Sequence, residues 1–207
     1  MNTAYNTSSQ PLTKEPDVLP PTKNGMLPFE VLSALQKYCR RGLELEAMQC
    51  ALELADTSKA YCTMVLNRLQ IISHEDIGMA NPQAILMAHT ICEQVKERYD
   101  PDKMTGWRVM LSNLVLYLCR SDKSREADHF TAVAKLGGVK PTIPDYARDK
   151  HTYAGKKLGR GLKHFREHGA VLSPPPITGD KYENRAYELW AIAEKNQGGL
   201  FKNEEQE

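Results

Sequence analysis

The residue types best suited to chemistry gather late in the chain. His164-Phe165-Arg166-Glu167-His168 spells HxxEH, the order in which inverted zincins carry two metal-binding imidazoles and a general base. Histidines four apart share one helix face and can hold one zinc ion. Two features weigh against a metalloprotease. The helical pattern stops at Gly169, directly after the second histidine, and Glu183 and Glu188 lie too near in sequence to serve as the distant third ligand. A solvated helix end accounts for the same residues, because a protonated histidine there meets the negative pole of the helix. No metal ligand and no catalytic residue are therefore assigned.

The same stretch is basic. Lys150, Lys156, Lys157, Arg160, Lys163 and Arg166 fall close together, with Asp149 and Glu167 the only acids at the borders. His151, Tyr153, His164 and Phe165 set rings between the charges. Cations neutralise phosphates and rings stack on unpaired bases, so these six cations form the candidate nucleic-acid surface. A solvated charged face and a site for an acidic protein partner are the competing readings. Gly155, Gly159 and Gly161 let a backbone approach closely and also weaken a helix. Upstream, Asp122-Lys123-Ser124-Arg125 places two cations beside a candidate N-cap. Ordinary capping explains that arrangement, although a helix N-terminus also attracts anions.

Other chemistries lack their residues. A phosphate-cradling loop needs GxxxxGK[ST], and the Gly-Lys and Gly-Arg pairs at Gly155 and Gly159 are followed by no Ser or Thr. ATP hydrolysis and a bound cofactor are not expected. Lys plus Arg is 27 and Asp plus Glu is 26, a net charge of +1. That excludes nucleic-acid binding driven by overall charge and leaves room for a local patch. Cys39, Cys50, Cys62, Cys92 and Cys119 form no CxxC pair and sit in apolar helical patterns. They read as reduced core residues of a cytoplasmic chain, or a nuclear one in a eukaryote. No run of apolar residues suits a membrane span, and the first residues lack the apolar core of a secretory signal.

The elements that must position these groups are helical. Residues 1–25 are rich in Pro, Ser, Thr and Asn and read as a disordered arm. Phe29, Val31, Leu32, Leu35 and Cys39 then recur at three and four, and Gly42 ends that helix. Ala47 to Leu52 forms a second stripe, with Asp56 or Thr57 as cap for a third through Tyr61, Val65, Leu69 and Ile72. Asn81 caps a fourth that Pro82 opens. Residues 107–119 are apolar almost all round, as in a central helix. Further helices are expected from Ser124 to Leu136, Lys150 to His168 and Tyr182 to Lys195. Ser73 reads as an N-cap with Asp76 three residues on, and Gly78 permits a tight turn before Pro82. The fold expected is all-α, a compact bundle of helical hairpins. Its domain spans residues 26–149, with residues 150–207 packing on it or extending it.

Three segments resemble one family in order. RLQIISHEDIGMANPQAILMA, residues 68–88, is similar to the Ser-Glu-Asp-Val-Gly-Leu-Ala-Asp-Pro stretch of the replication-associated recombination protein A and Werner-interacting AAA+ proteins. LPFEVLSALQKYCRRGLELEAMQCALELA resembles their helical pair opening on Ser-Ala-Leu, and NLVLYLCRSDKSREADHFTAVA their Tyr-Leu-Ala-x-x-x-Lys-Ser segment. Ile143-Pro144-Asp145 to Asp149 resembles their Val-Pro-x-x-Leu-Arg-Asp. His74 and Asn81 depart from the pattern, and nothing after Lys150 matches. The resemblance implies a clamp-loader-collar-like helical region, the part that follows the ATPase core and serves assembly. It implies a homo-oligomer, a dimer or tetramer, working in DNA replication, recombination or repair. A separate ATPase or replisome protein and DNA are the implied partners. In the motif Ser73, Glu75, Asp76, Gly78 and Pro82, a folding corner competes with presentation of Glu75 and Asp76 to a partner. The rival function is a protein–protein adaptor without nucleic acid, and a remoter one is an HxxEH hydrolase.

Overall fold

The structure is a computed structural model that describes residues 19–200 and side chains through residue 196. The described residues are helices and turns, with no strand among them. Two compact units divide between Gly138 and Val139.

The first unit begins where an arm was expected. Residues 19–25 form a docked turn. Thr22 is buried, Lys23 bonds Thr57 and Asp56, Asn24 donates twice to Glu53, and the Tyr61 hydroxyl donates to the Pro20 carbonyl. The Pro- and Thr-rich composition hid these polar anchors. Residues 1–18 of the expected arm lie outside the described part.

Helix α1 spans Pro28–Arg41 and ends at Gly42, whose φ of 70° is the left-handed conformation that glycine adopts without strain. Helix α2, Glu44–Ala55, returns along it as a hairpin. Helix α3, Lys59–Ile72, starts at Ser58, whose hydroxyl accepts from the Tyr61 amide. That cap lies one residue beyond the expected pair, because Asp56 is drawn to Arg108 and Lys23 and Thr57 donates back to the Glu53 carbonyl.

Helix α3 does not stop at a fresh cap. It runs into a π-turn over Ser73–Ile77 and a 3-10 turn over Gly78–Ala80. Ser73 is therefore no N-cap; its hydroxyl donates to the Gln70 carbonyl inside the continuing helix. Helix α4, Gln83–Arg98, follows Pro82. Asn81 does not cap it with its side chain, which donates to Tyr117 and Ser121 instead. Helix α5, Trp107–Arg120, touches α1, α2, α3 and α4 and is the centre of the bundle. Trp107, Leu111, Leu114 and Leu118 are fully buried on it. Each such side chain removed from water stabilises the fold by about 1.5–3 kcal/mol.

The cysteines are free thiols; four are buried and Cys50 is half-buried. Burial pushes the Cys92 thiol up to about 11 and the Cys62 thiol up to about 12. Helix α6, Glu126–Leu136, differs from the others: none of its residues is buried, and Phe130, Val133 and Leu136 are exposed.

The second unit contains a 3-10 turn at Asp145–Ala147, α7 (Tyr153–Lys157), α8 (Leu162–His164) with a π-turn at Phe165–Gly169, and α9 (Glu183–Leu200). The continuous helix expected from Lys150 to His168 is broken. Gly159 takes a φ of 68°, and the chain turns there before α8. Asp145, ahead of Lys150, is tied to Arg160 within this unit. No described helix is long and apolar enough to cross a membrane.

Candidate functional site

Two sets of charged residues stand out, and the π-turn builds the first. A π-turn carries one residue more than an α-turn, which re-aims the side chains after it. Here it directs Asp76 inward, with its side chain fully buried. Asp76 Oδ1 accepts from Arg40 Nε at 2.7 Å and Oδ2 from Gln36 Nε2 at 3.0 Å. Gln36 accepts in turn from Arg68 Nη1 at 2.9 Å. Arg125 Nε lies 3.7 Å from the same carboxylate. Glu75, on the rim, meets Arg40 and Arg125 at 3.4 Å each. The Asp76 carbonyl also accepts the Ser124 amide, which fixes the entry to α6.

Asp76 is thus closed to any partner, and only Glu75 of the expected acidic pair reaches the surface. Gly78 takes the φ of 49° that ends the π-turn, and Pro82 leads into α4. Buried charges persist only when paired, and this cluster spends its charge holding α1, α3 and α6 in place. Arg40, Gln36 and Arg68 carried no motif and went unread. Their partners lie 32 to 40 residues away along the chain, beyond the reach of local spacing.

Lys123 and Arg125 are likewise turned to internal work. Lys123 Nζ donates to the carbonyls of Leu118 at 2.8 Å and Cys119 at 2.9 Å, and also to that of Ser121. It thereby caps the negative end of α5, and burial lowers its ammonium below the usual lysine value. Arg125 pairs with Asp128. The Asp122–Arg125 stretch therefore presents no two-cation anion site.

The basic segment forms the second set. Arg160 makes a two-pronged pair with Asp145, at 2.7 and 2.9 Å, and donates to the Asp145 and Arg148 carbonyls. Arg160 accordingly holds the Asp145 carboxyl below its ordinary value. Lys150 pairs with Glu194, Arg166 donates to Asn184 at 2.6 Å, and Lys157 lies over the Tyr153 ring at 4.7 Å. Lys156 and Lys163 are exposed, and neither has an acidic or hydrogen-bonded partner among the described residues. Gly155 is required here: a Cβ on it would stand 1.8 Å from the Asp149 carbonyl. Of the six cations read from sequence, then, four are engaged within the chain and two face solvent unpaired.

The HxxEH residues do not lie on a regular α-helix. The π-turn puts the His164 and His168 rings 4.8 Å apart, His164 Nδ1 is buried, and Glu167 is exposed. No group of three His, Cys, Asp or Glu is placed to hold a metal among the described residues.

Residues 55–174, more than half of the chain, match the family described as MgsA AAA+ ATPase C terminal. The chain belongs to this family. The match takes in Arg68, Glu75, Asp76, Arg125 and the basic segment, whereas Gln36 and Arg40 lie ahead of it, and it continues past Lys150, where no counterpart is expected from the resemblance. The chain is also 31% identical over 153 residues to replication-associated recombination protein A of Bacillus subtilis (strain 168). That similarity covers 70% of this chain and 34% of the relative, so the chain spans about a third of its relative's length. The family region present is the one C-terminal to an AAA+ ATPase, and these 207 residues contain no phosphate-cradling motif.

Proposed function

We propose that this chain is a non-enzymatic accessory module of DNA replication, recombination or repair, which self-associates and contacts nucleic acid or a replisome protein. The observation that carries this reading is the family match to the C-terminal region of an AAA+ protein, together with the missing phosphate loop. Self-association is supported by α6, which lays Phe130, Val133 and Leu136 open to solvent on a helix with nothing buried. Closed symmetric assembly covers such surface, as a dimer or a tetramer. Nucleic-acid contact is supported by Lys156 and Lys163, exposed and without a partner among the described residues, and by the exposed Tyr153 ring of the same segment. The work would be done in the cytoplasm, alongside a separate ATPase.

Anisotropy titration with labelled DNA across a salt series tests the contact. Lys156→Glu with Lys163→Glu should weaken binding to all sequences alike and flatten the salt slope by about one unit per lost contact. An unchanged slope removes nucleic acid and leaves the adaptor. Light scattering tests assembly: a mass of 23.3 kDa at high concentration would overturn it, whereas loss of a larger mass in Phe130→Asp would support α6 as the seam.

A further inference from the structure

A small cavity of about 250 Å³ opens within the second unit. His151, Phe165 and Trp190 supply its aromatic lining, and Lys150 and Glu194 line it as well. Phe165 meets the His151 ring edge to face at 4.8 Å. Trp190 is braced from outside the cavity: Tyr187 packs against it edge to face at 5.1 Å, and Arg166 covers Tyr187 at 4.6 Å. Trp190 nevertheless keeps about half of its surface exposed. The volume falls below the ~300–1,000 Å³ of sites for drug-sized ligands, which suits one planar ring system.

We infer that this cavity receives a single unstacked nucleobase, with guanine favoured. The inference rests on the nucleic-acid reading above and adds the part of the strand recognised. Trp190 offers the face on which a base stacks, an interaction available to every base. Lys150 and Glu194 already lie paired, an ammonium beside a carboxylate. The hydrogen-bonding edge of guanine offers an acceptor, O6, beside two N–H donors, so it can take one bond from Lys150 and give two to Glu194. The other bases match the pair with fewer bonds. A duplex hides this edge, so the cavity selects unpaired bases. Lys156 and Lys163 remain free for the backbone phosphates of the same strand.

Trp190 provides its own readout, because the other tryptophan, Trp107, is fully buried in the first unit. The protein is titrated with a thymine strand carrying one central guanine, the same strand abasic or thymine at that position, the corresponding duplex, and dGMP alone. The guanine strand should quench tryptophan emission and bind more tightly than the abasic strand by roughly five- to 150-fold, the range of base–aromatic stacking. The duplex should leave emission unchanged. Trp190→Ala should erase the preference for guanine over abasic strand. Trp190→Phe, which keeps a ring and leaves α9 undisturbed, should retain most of it without the quenching. Glu194→Gln should narrow the preference for guanine over thymine.

Equal affinity for guanine and abasic strands with unchanged emission would overturn the cavity as a base site, while the phosphate contacts of Lys156 and Lys163 stood. Quenching by dGMP with no binding of any strand would keep the base site, assign it to a free nucleotide, and overturn the nucleic-acid reading. No response to strand or nucleotide would overturn both.

Discussion

The two units are held together by different physics. Residues 19–138 enclose 26 buried apolar side chains around α5, and their one fully buried carboxylate is paired on all sides. Among the described residues from Val139 onward, Gly155 alone is buried. That unit is tied by Arg160 to Asp145, Lys150 to Glu194 and Arg166 to Asn184, and by rings stacked on rings. Apolar burial is insensitive to salt and mild acid, whereas exposed ion pairs are screened by salt and contribute ~0–1 kcal/mol each. The first unit can therefore serve as a rigid platform. The second should loosen first when salt or acid weakens its ion pairs.

The sharpest way to break the contrast is to make the platform fail by charge. Asp76→Ala strands Arg40 and Gln36 in a site built to face a carboxylate. It should destabilise the first unit by about 3–5 kcal/mol, the cost of removing one partner of a buried pair. Urea unfolding monitored by Trp107 emission measures this, and a loss under ~1 kcal/mol would mean that the cluster is decoration. Asp76→Asn, which keeps the shape, should cost less.

Arg160→Ala should do the reverse. It removes the bonds to Asp145 and Arg148 but empties no core, so the urea midpoint of the first unit should not move. Hydrogen exchange over residues 145–161 should quicken instead. A drop in the stability of the first unit would contradict the separation of the two regions.

The smallest effect concerns acid. Arg160 depresses the Asp145 carboxyl below its ordinary 3.8. A carboxyl with a lowered pKa in the folded state stabilises that state above the unfolded value and stops doing so as pH falls through the folded one. Acidification below the ordinary aspartate range should therefore quicken exchange at residues 145–161 before the first unit responds. In Arg160→Ala that acid step should vanish.

The same contrast decides what could be read from sequence. Helices α1 to α5 announce themselves because burial stamps a period of three and four on Val31, Leu35, Cys39, Leu69, Leu114 and their neighbours. The basic cations were visible as composition, but their division into engaged and open was not, because Asp145, Asn184 and Glu194 are far from them in sequence. Trp190 and Glu194 were missed for the same reason: α9 has no apolar face strong enough to mark which side turns toward His151 and Phe165. The break at Gly159 was a competition between helix pattern and glycine conformation, and the ties of Arg160 decided it.

The π-turn at Ser73–Ile77 fixes the length of this stretch as firmly as its composition. If one residue were removed from the last turn of α3 with the π-turn kept, everything after the cut would rotate by about 100°. Asp76 would swing out from between Arg40 and Gln36, and Ile77 would leave the core with it. The chain here tolerates exchange of letters more readily than loss of one. A working variant shortened by a residue at this corner would have to recover it within a turn, so the stretch from Ile72 to Pro82 acts as a ruler between α3 and α4.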